Sequence, residues 1–150
     1  MLIVDTREQK NQFIIRYLKK HHIEFKKEKL DVGDYAFEDN PKYVIDRKAN
    51  IQELVYNVTH EHDRILREME RAKTNGVRLL FLVEDENVHS LDDLNDWNNP
   101  RRKWSPKATT GETLRKILFT MIGEYDMQVL FVNRKYYAST LIRLLEVNRR

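Results

Sequence analysis

The sequence predicts an α/β domain built on a mixed sheet, and two patterns predict it. Short apolar runs of strand length recur between segments whose apolar residues fall at helical spacing. Ahead of these alternating units, residues 25–47 carry three strand-like runs separated by turn residues, the mark of an antiparallel meander. No repeat, low-complexity segment or linker interrupts the pattern, so residues 1–150 are expected to form one domain.

Leu2-Ile3-Val4 reads as a short buried strand ending at Asp5. Phe13, Ile14, Tyr17 and Leu18 then fall at helical spacing and predict an amphipathic helix. The meander follows, with strands expected in Phe25 to Leu30, Tyr35 to Phe37 and Tyr43 to Arg47. Ile51, Leu54, Val55 and Val58 define a second helix, and a thin stripe of Ile65, Met69 and Ala72 a third, from about Glu61 to Lys73. Val77 to Val83 is apolar almost throughout, as expected of a central strand covered on both faces. A short helix at Ser90 to Asp96 and a loop through Asn98-Asn99-Pro100 and Ser105-Pro106 lead to Thr109-Thr110-Gly111-Glu112, which has capping-box spacing. The helix it opens turns Leu114, Ile117, Leu118, Met121 and Ile122 inward; Met127 to Val132 is a further buried strand, and Tyr137 to Val147 a closing helix.

Composition excludes several classes of function. Hydrophobic residues make up 41% and charged residues 34%, which describes a folded domain with a heavily charged surface. There is no cysteine, which rules out disulfides, zinc-thiolate centres and thiol chemistry. No apolar run approaches membrane-spanning length, and MLIVDTREQ lacks the character of a signal peptide, so no membrane partner and a cytoplasmic location are expected. The net charge of +3 permits nucleic-acid binding without requiring it. Basic residues gather at Lys19-Lys20-His21-His22, Lys26-Lys27, Arg101-Arg102-Lys103 and Arg149-Arg150. Arg101, Arg102 and Lys103 adjoin Trp104, and cations beside an exposed aromatic can engage both phosphates and unstacked bases.

The segment Gly33 to Lys48 says most about chemistry. Strand side chains alternate, so Asp46 and Lys48 project together while Arg47 points away. A hairpin centred near Asn40, within the turn-rich run Glu38 to Pro41, sets Asp34 opposite Asp46. Like charges across a strand pair repel, so two facing carboxylates call for a cation; Mg²⁺, held by one or two carboxylates, is the natural one. The alternative is that Asp34 caps a turn and that Asp46, Arg47 and Lys48 form a solvated edge. Asp5 lies at the carboxyl end of the first strand, the edge where ligands of α/β sheets bind, and Arg7 and Glu8 follow it.

Val4-Asp5-Thr6-Arg7-Glu8, Val32-Gly33-Asp34-Tyr35 and Asp46-Arg47-Lys48, in this order, closely resemble the VDxRE, VGDY and (E/D)RK motifs of the XPF-family structure-specific endonucleases. Leu79 to Glu84 resembles that family's next core strand. Asn99-Pro100-Arg101 and Ser105 to Leu114 are similar to small stand-alone XPF-type nucleases of bacteriophages and mobile elements, which extends the likeness over nearly the whole chain. The resemblance implies a restriction-endonuclease-like core of the PD-(D/E)xK superfamily, a DNA substrate, dependence on Mg²⁺ or Mn²⁺, and a bacterial or phage-infected cytoplasm. It implies metal binding by Asp34, Asp46 and Asp5, water activation or charge stabilisation by Lys48, and a phosphate clamp at Arg7. Glu8 is expected to be an outer ligand or the partner that fixes Arg7. Arg47 and Arg64 join Arg101, Arg102 and Lys103 as expected DNA contacts.

Two departures accompany the likeness. The wider family has an aspartate four residues after the motif lysine, where this chain has Gln52; either Glu53 substitutes after a small backbone shift or that acid is dispensable. No helix-hairpin-helix module of the kind larger members carry is expected in these 150 residues. His60 and His62, at i, i+2, face different sides of a helix and are not expected to share an ion. The closing segment, Tyr136-Tyr137 through Leu141, Ile142, Leu144 and Leu145, carries more apolar residues than one helix face needs, which suggests a homodimer unless all of them cover their own sheet.

Overall fold

The computed structural model describes residues 1–149, so Arg150 of the terminal basic pair lies outside the described residues. Its strands are β1 (Leu2–Val4), β2 (Phe25–Lys27), β3 (Tyr35–Phe37), β4 (Asn40–Lys48), β5 (Arg78–Glu84) and β6 (Gln128–Val132). Its helices are α1 (Gln12–Lys20), α2 (Ile51–Thr59), α3 (His62–Thr74), α4 (Gly111–Tyr125) and α5 (Arg134–Val147), with short 3-10 helices at Asp92–Asp96 and Pro100–Lys103. The strands form one mixed sheet in the order β2-β1-β3-β4-β5-β6.

Strand alternation splits the apolar residues into two layers. Ile45, Leu80 and Leu82 face α1 and α5, where they meet Ile14, Leu18, Tyr137, Leu141, Ile142 and Leu145. Val44, Leu79, Phe81 and Val83 face α2, α3 and α4, where they meet Leu54, Ile65, Met69, Leu114 and Leu118. The expected mixed α/β architecture is therefore present in three layers, with helices on both faces of the sheet. The same alternation continues to the end of β4. It sends Asp46 and Lys48 to the α2/α3 face with Val44, and Arg47 to the α1/α5 face with Ile45.

Three expectations need correction. The meander is incomplete: β2 pairs parallel with β1 at the sheet edge, while β1, β3 and β4 form the antiparallel run. The helix α1 that joins β1 to β2 is the reason, because a helical crossover returns the chain in the same direction. The β3–β4 turn is Glu38-Asp39 rather than one centred on Asn40, since Phe37 pairs with Asn40. A bulge between that pair and Tyr35–Ile45 inserts three extra residues on β4 and restores the register that brings Asp34 level with Asp46. Thr110 rather than Thr109 caps α4, its hydroxyl accepting from the Thr113 amide at 3.1 Å.

The closing helix covers its own sheet. Tyr137, Ala138, Leu141, Ile142 and Leu145 are all buried there, and the Tyr137 hydroxyl donates to Leu82 O at 2.6 Å. Only Tyr136 of the large apolar residues at its start stays exposed. No helix among the described residues is long and apolar enough to cross a membrane.

Candidate active site

A cavity of about 250 Å³ opens where β1 and β4 end, walled by α2 and α3. Its rim brings together Asp5, Arg7, Glu8, Asp34, Asp46, Arg47, Lys48 and Arg64, eight of the residues expected from the sequence, and adds Glu53, Asn57 and Glu68.

Asp46 and Lys48 form its floor. Both are buried, the lysine to 4% exposure, and the ammonium lies 3.0 Å from Asp46 Oδ1 and 4.7 Å from the centre of the Phe81 ring. Burial alone would lower the lysine pKa, but the Asp46 carboxylate at hydrogen-bonding distance outweighs it and holds the ammonium charged.

Asp34 reaches the cavity because Gly33 makes the turn before β3. Gly33 has φ of +71°, and a Cβ there would come within 2.4 Å of Val44 Cγ1. The Asp34 backbone amide donates to Ile45 O at 2.9 Å, and its carboxylate accepts from the Arg47 amide at 2.7 Å. Burial, with Asp46 and Glu8 nearby, still pushes its pKa well above the ordinary carboxylate range.

Glu68 is the residue that sequence reasoning missed. It comes from α3, and its carboxyl meets that of Asp46. Burial and the Asp46 charge raise it to about 8, against the opposing pull of Lys48 and Arg64. Its Oε1 is buried without a hydrogen-bond partner. A signal was present: Arg64 and Glu68 are four residues apart, and Glu68 flanks the buried Ile65 and Met69, so both turn one side of the helix toward the sheet.

The remaining expected residues pair differently from the sequence reading. Asp5, only 1% exposed, is fully engaged: Oδ2 accepts from the Arg7 amide and Nε at 3.0 and 2.8 Å, and Oδ1 from Leu30 N and Arg7 Nη2 at 2.8 and 3.1 Å. Burial would raise its pKa, yet these donors hold it below the ordinary value. Asp5 thus positions Arg7, whose side chain is 62% exposed and held also by Leu30 O at 2.9 Å. Glu8 does not fix Arg7. Its carboxylate accepts from Tyr35 Oη at 2.6 Å and lies 3.4 Å from Arg47 Nη1, and burial raises its pKa in spite of both.

Arg47, expected as a DNA contact, is buried on the opposite face of the sheet. Its guanidinium also donates to Gln9 O and Lys10 O and stacks over Phe13. Arg64 does border the cavity, tied to Glu61 at 3.0 Å. Arg101, Arg102 and Lys103 stand outside it, exposed on the 3-10 helix beyond α2. His60 caps the end of α2 and His62 begins α3.

The electrostatics of the cavity favour a cation. Its lining residues include six acids and four bases, of which Arg47 turns its guanidinium to the other face of the sheet. Arg7 is matched by Asp5, Arg47 by Glu8, Lys48 by Asp46 and Arg64 by Glu61, which leaves Asp34, Glu53 and Glu68 without an ion-pair partner among the described residues. Among the described residues no group of three Asp, Glu or His side chains is gathered at metal-ligand spacing. Asp34, Asp46 and Glu68 nevertheless fit a hard divalent ion: they supply carboxylate oxygen, the Asp46 charge adds to burial in raising both Asp34 and Glu68 against the pull of Lys48, and Glu68 Oε1 lacks a hydrogen-bond partner.

Comparison with known proteins gives an independent result. A family model described as the ERCC4 domain matches residues 4–145. The fold is similar to that of XPF from Aeropyrum pernix, at 17% identity and a TM-score of 0.67, over 98% of this chain and 66% of that one. It is equally similar to XPF from Aeropyrum pernix in complex with DNA, at 16% identity and a TM-score of 0.67, over 99% of this chain and 66% of that one. The chain therefore spans a little under two thirds of the length of these structures. No curated protein matches it.

Proposed function

The chain belongs to the ERCC4 domain family, and from that membership we propose that it is a divalent-metal-dependent DNA endonuclease that hydrolyses phosphodiester bonds. Its proposed substrates are branched, flap or single-strand-containing DNA, in recombination, repair or replication. One observation carries the reading: the buried Asp46–Lys48 pair, 3.0 Å apart on one face of β4 and set against Asp34 and Glu68.

Asp34, Asp46 and Glu68 would hold Mg²⁺ or Mn²⁺. When bound, the ion acidifies its water and neutralises charge on the phosphoryl oxygens. Lys48 contributes a fixed positive charge at the end of β4, where it orients the attacking water and stabilises the phosphorane. Arg7 is pre-set by Asp5 and Leu30 O, which take its Nε and Nη2, so that Nη1 is the nitrogen left to donate to a phosphate oxygen. Arg64 supplies a further cation at the rim. Arg47 acts from behind: its amide orients Asp34 while its side chain anchors the β4 terminus to residues 8–10.

Glu68 supplies the acid that is missing at position 52. A DNA-holding module without catalysis would have no use for a buried ion pair flanked by uncompensated carboxylates, since such an arrangement costs stability. The stand-alone type, as in phages and mobile elements, is supported by the likeness of residues 99–114. Support for a homodimer comes from the open edge of β6, where Leu130 is exposed, and from exposed Tyr136. Incubation of the purified chain with end-labelled flap DNA tests the activity. Cleavage in Mg²⁺ or Mn²⁺ that EDTA abolishes supports the reading, and intact substrate under both conditions refutes it.

A further inference from the structure

The far side of α2 walls a second cavity, of about 220 Å³, that the proposed chemistry does not use. Its polar lining is the reverse of the first. His60, Arg101 and Lys107 converge with the hydroxyl residues Thr59, Ser105 and Thr109, and no Asp or Glu is among the lining residues. Neither Arg101 nor Lys107 is paired with an acidic side chain among the described residues.

The cavity is built by specific bonds and is not an accident of a loop surface. Buried Asn99 clamps the segment to α2: its Oδ1 accepts from Gln52 Nε2 at 2.6 Å and from the Arg101 amide at 3.0 Å, and its Nδ2 donates to Thr109 O at 2.8 Å. Arg102 Nη1 closes the far side on Ala108 O at 2.8 Å. The backbone that carries Arg101 and Lys107 is thus fixed before any ligand arrives, which lowers part of the ordering cost of binding.

Two aromatic residues adjoin the lining, Tyr56 by stacking on His60 and Trp104 as the sequence neighbour of Ser105. Tyr56 is 49% exposed and stacks on the His60 ring, with centroids 5.1 Å apart and planes 13° apart. Trp104 is 81% exposed. An indole so open contributes nothing to the core, and flat aromatic faces beside cations suit unpaired bases. Position matters as well. Asn57 lines the acid cavity and His60 the basic one, three residues apart on α2, so the two share one helix as their common wall.

We propose that the basic cavity is a backbone-phosphate site for an unpaired DNA strand running from the acid cavity over α2, with Tyr56 and Trp104 stacking on its bases. The identity of the strand rests on the nuclease reading; the anion chemistry of the pocket does not.

The test is fluorescence anisotropy in EDTA, where nothing is cleaved, using a labelled oligothymidylate and a duplex of equal length across a salt series. The Arg101→Ala, Lys107→Ala double variant should reduce the single-strand log–log salt slope by about 1.4, at roughly 0.7 per lost phosphate contact. Tyr56→Ala with Trp104→Ala should weaken single-strand binding roughly thirtyfold or more, with the slope and duplex affinity unchanged. These four side chains are exposed, and unchanged melting temperatures confirm that the variants fold. Unaltered slope and affinity in folded variants would overturn the proposal, as would equal losses on duplex and single strand. Residue-dependent binding by a wild-type chain that cuts no DNA with any divalent ion would sustain the pocket and remove the nuclease reading. Cleavage with binding indifferent to all four residues would do the opposite.

Discussion

Gln52 Nε2 donates to Asn99 Oδ1 at 2.6 Å, so the position where related nucleases carry an acid here ties α2 to the loop ahead of α4. The glutamine side chain is absent from the lining of the acid cavity, and Glu68 enters that cavity from α3 instead. Glu53 also borders it, but its carboxylate accepts from the Ala49 amide at 3.1 Å while its own amide is capped by Asn50.

Restoring an acid at position 52 should therefore fail to restore a ligand. Gln52→Asp removes the side-chain donor in the contact and leaves Asn99 short of a partner, a loss of about 1–3 kcal/mol. The melting temperature should fall by several degrees, and Mn²⁺ affinity measured by calorimetry should not rise. Glu68→Gln keeps the shape and should lower Mn²⁺ affinity about tenfold or more. Equal affinity in Glu68→Gln and wild type would remove Glu68 from the ligand set.

The acid cavity should make metal-free stability depend on pH. Glu68, raised from 4.5 to about 8, keeps in the folded state a proton that the unfolded chain has already released. Asp34 is shifted in the same direction by burial and by Asp46 and Glu8. The folded state binds more protons over that window, so stability falls as pH rises from about 5 to about 8. Thermal melts in EDTA should show the decline. Millimolar Mg²⁺ or Mn²⁺ should offset it at the upper end, and Asp34→Asn with Glu68→Gln should flatten it. A metal-induced shift that survives both substitutions together with Asp46→Asn would place the ion elsewhere.

How far the sequence exposed all this follows from the range of the forces involved. Period-two alternation is local, so the separation of Asp46 and Lys48 from Arg47 could be read from residues alone, and so could the burial of Leu79, Phe81 and Val83. The level placement of Asp34 and Asp46 was also legible, although the bulge that produces it was not, because extra residues on one strand have no local signature. The parallel pairing of β2 depends on where α1 packs, which is a tertiary matter. Partner choice was the least legible: Arg7 with Asp5 and Arg47 with Glu8 depend on which face each strand end presents. Glu68 lay hidden in a helix dense with charge, where one acid among many looks solvated.

Arg47 should prove a structural residue. Its side chain is buried, pairs with Glu8 at 3.4 Å and stacks over Phe13. Arg47→Ala leaves Glu8 buried without its cation and should cost about 3–5 kcal/mol, visible in urea melts. The salt dependence of DNA binding by the surviving folded fraction should match wild type. A reduced slope with intact stability would return Arg47 to the DNA interface.

Gly33→Ala should damage the site through the backbone. The residue needs φ of +71°, and the added Cβ would strike Val44 Cγ1 at 2.4 Å and crowd Ile45 O at 3.3 Å. A loss of about 1–3 kcal/mol is expected from the strained conformation alone. Asp34 follows directly, so the metal-induced rise in melting temperature should shrink with it. An unchanged increment would show that Asp34 tolerates displacement.

The central claim is that the Asp46–Lys48 pair performs phosphodiester hydrolysis, and single-turnover cleavage of a labelled flap DNA by Lys48→Ala tests it most directly. With enzyme saturating in Mg²⁺ or Mn²⁺, the rate should fall roughly a hundredfold or more relative to wild type, the scale for loss of a positioned acid-base or electrostatic group. DNA affinity measured in EDTA should stay within about threefold, because the ammonium, 4% exposed, faces the cavity floor and not the surface. A wild-type chain that leaves the flap intact, or a Lys48→Ala protein that cuts at the wild-type rate, would contradict the account.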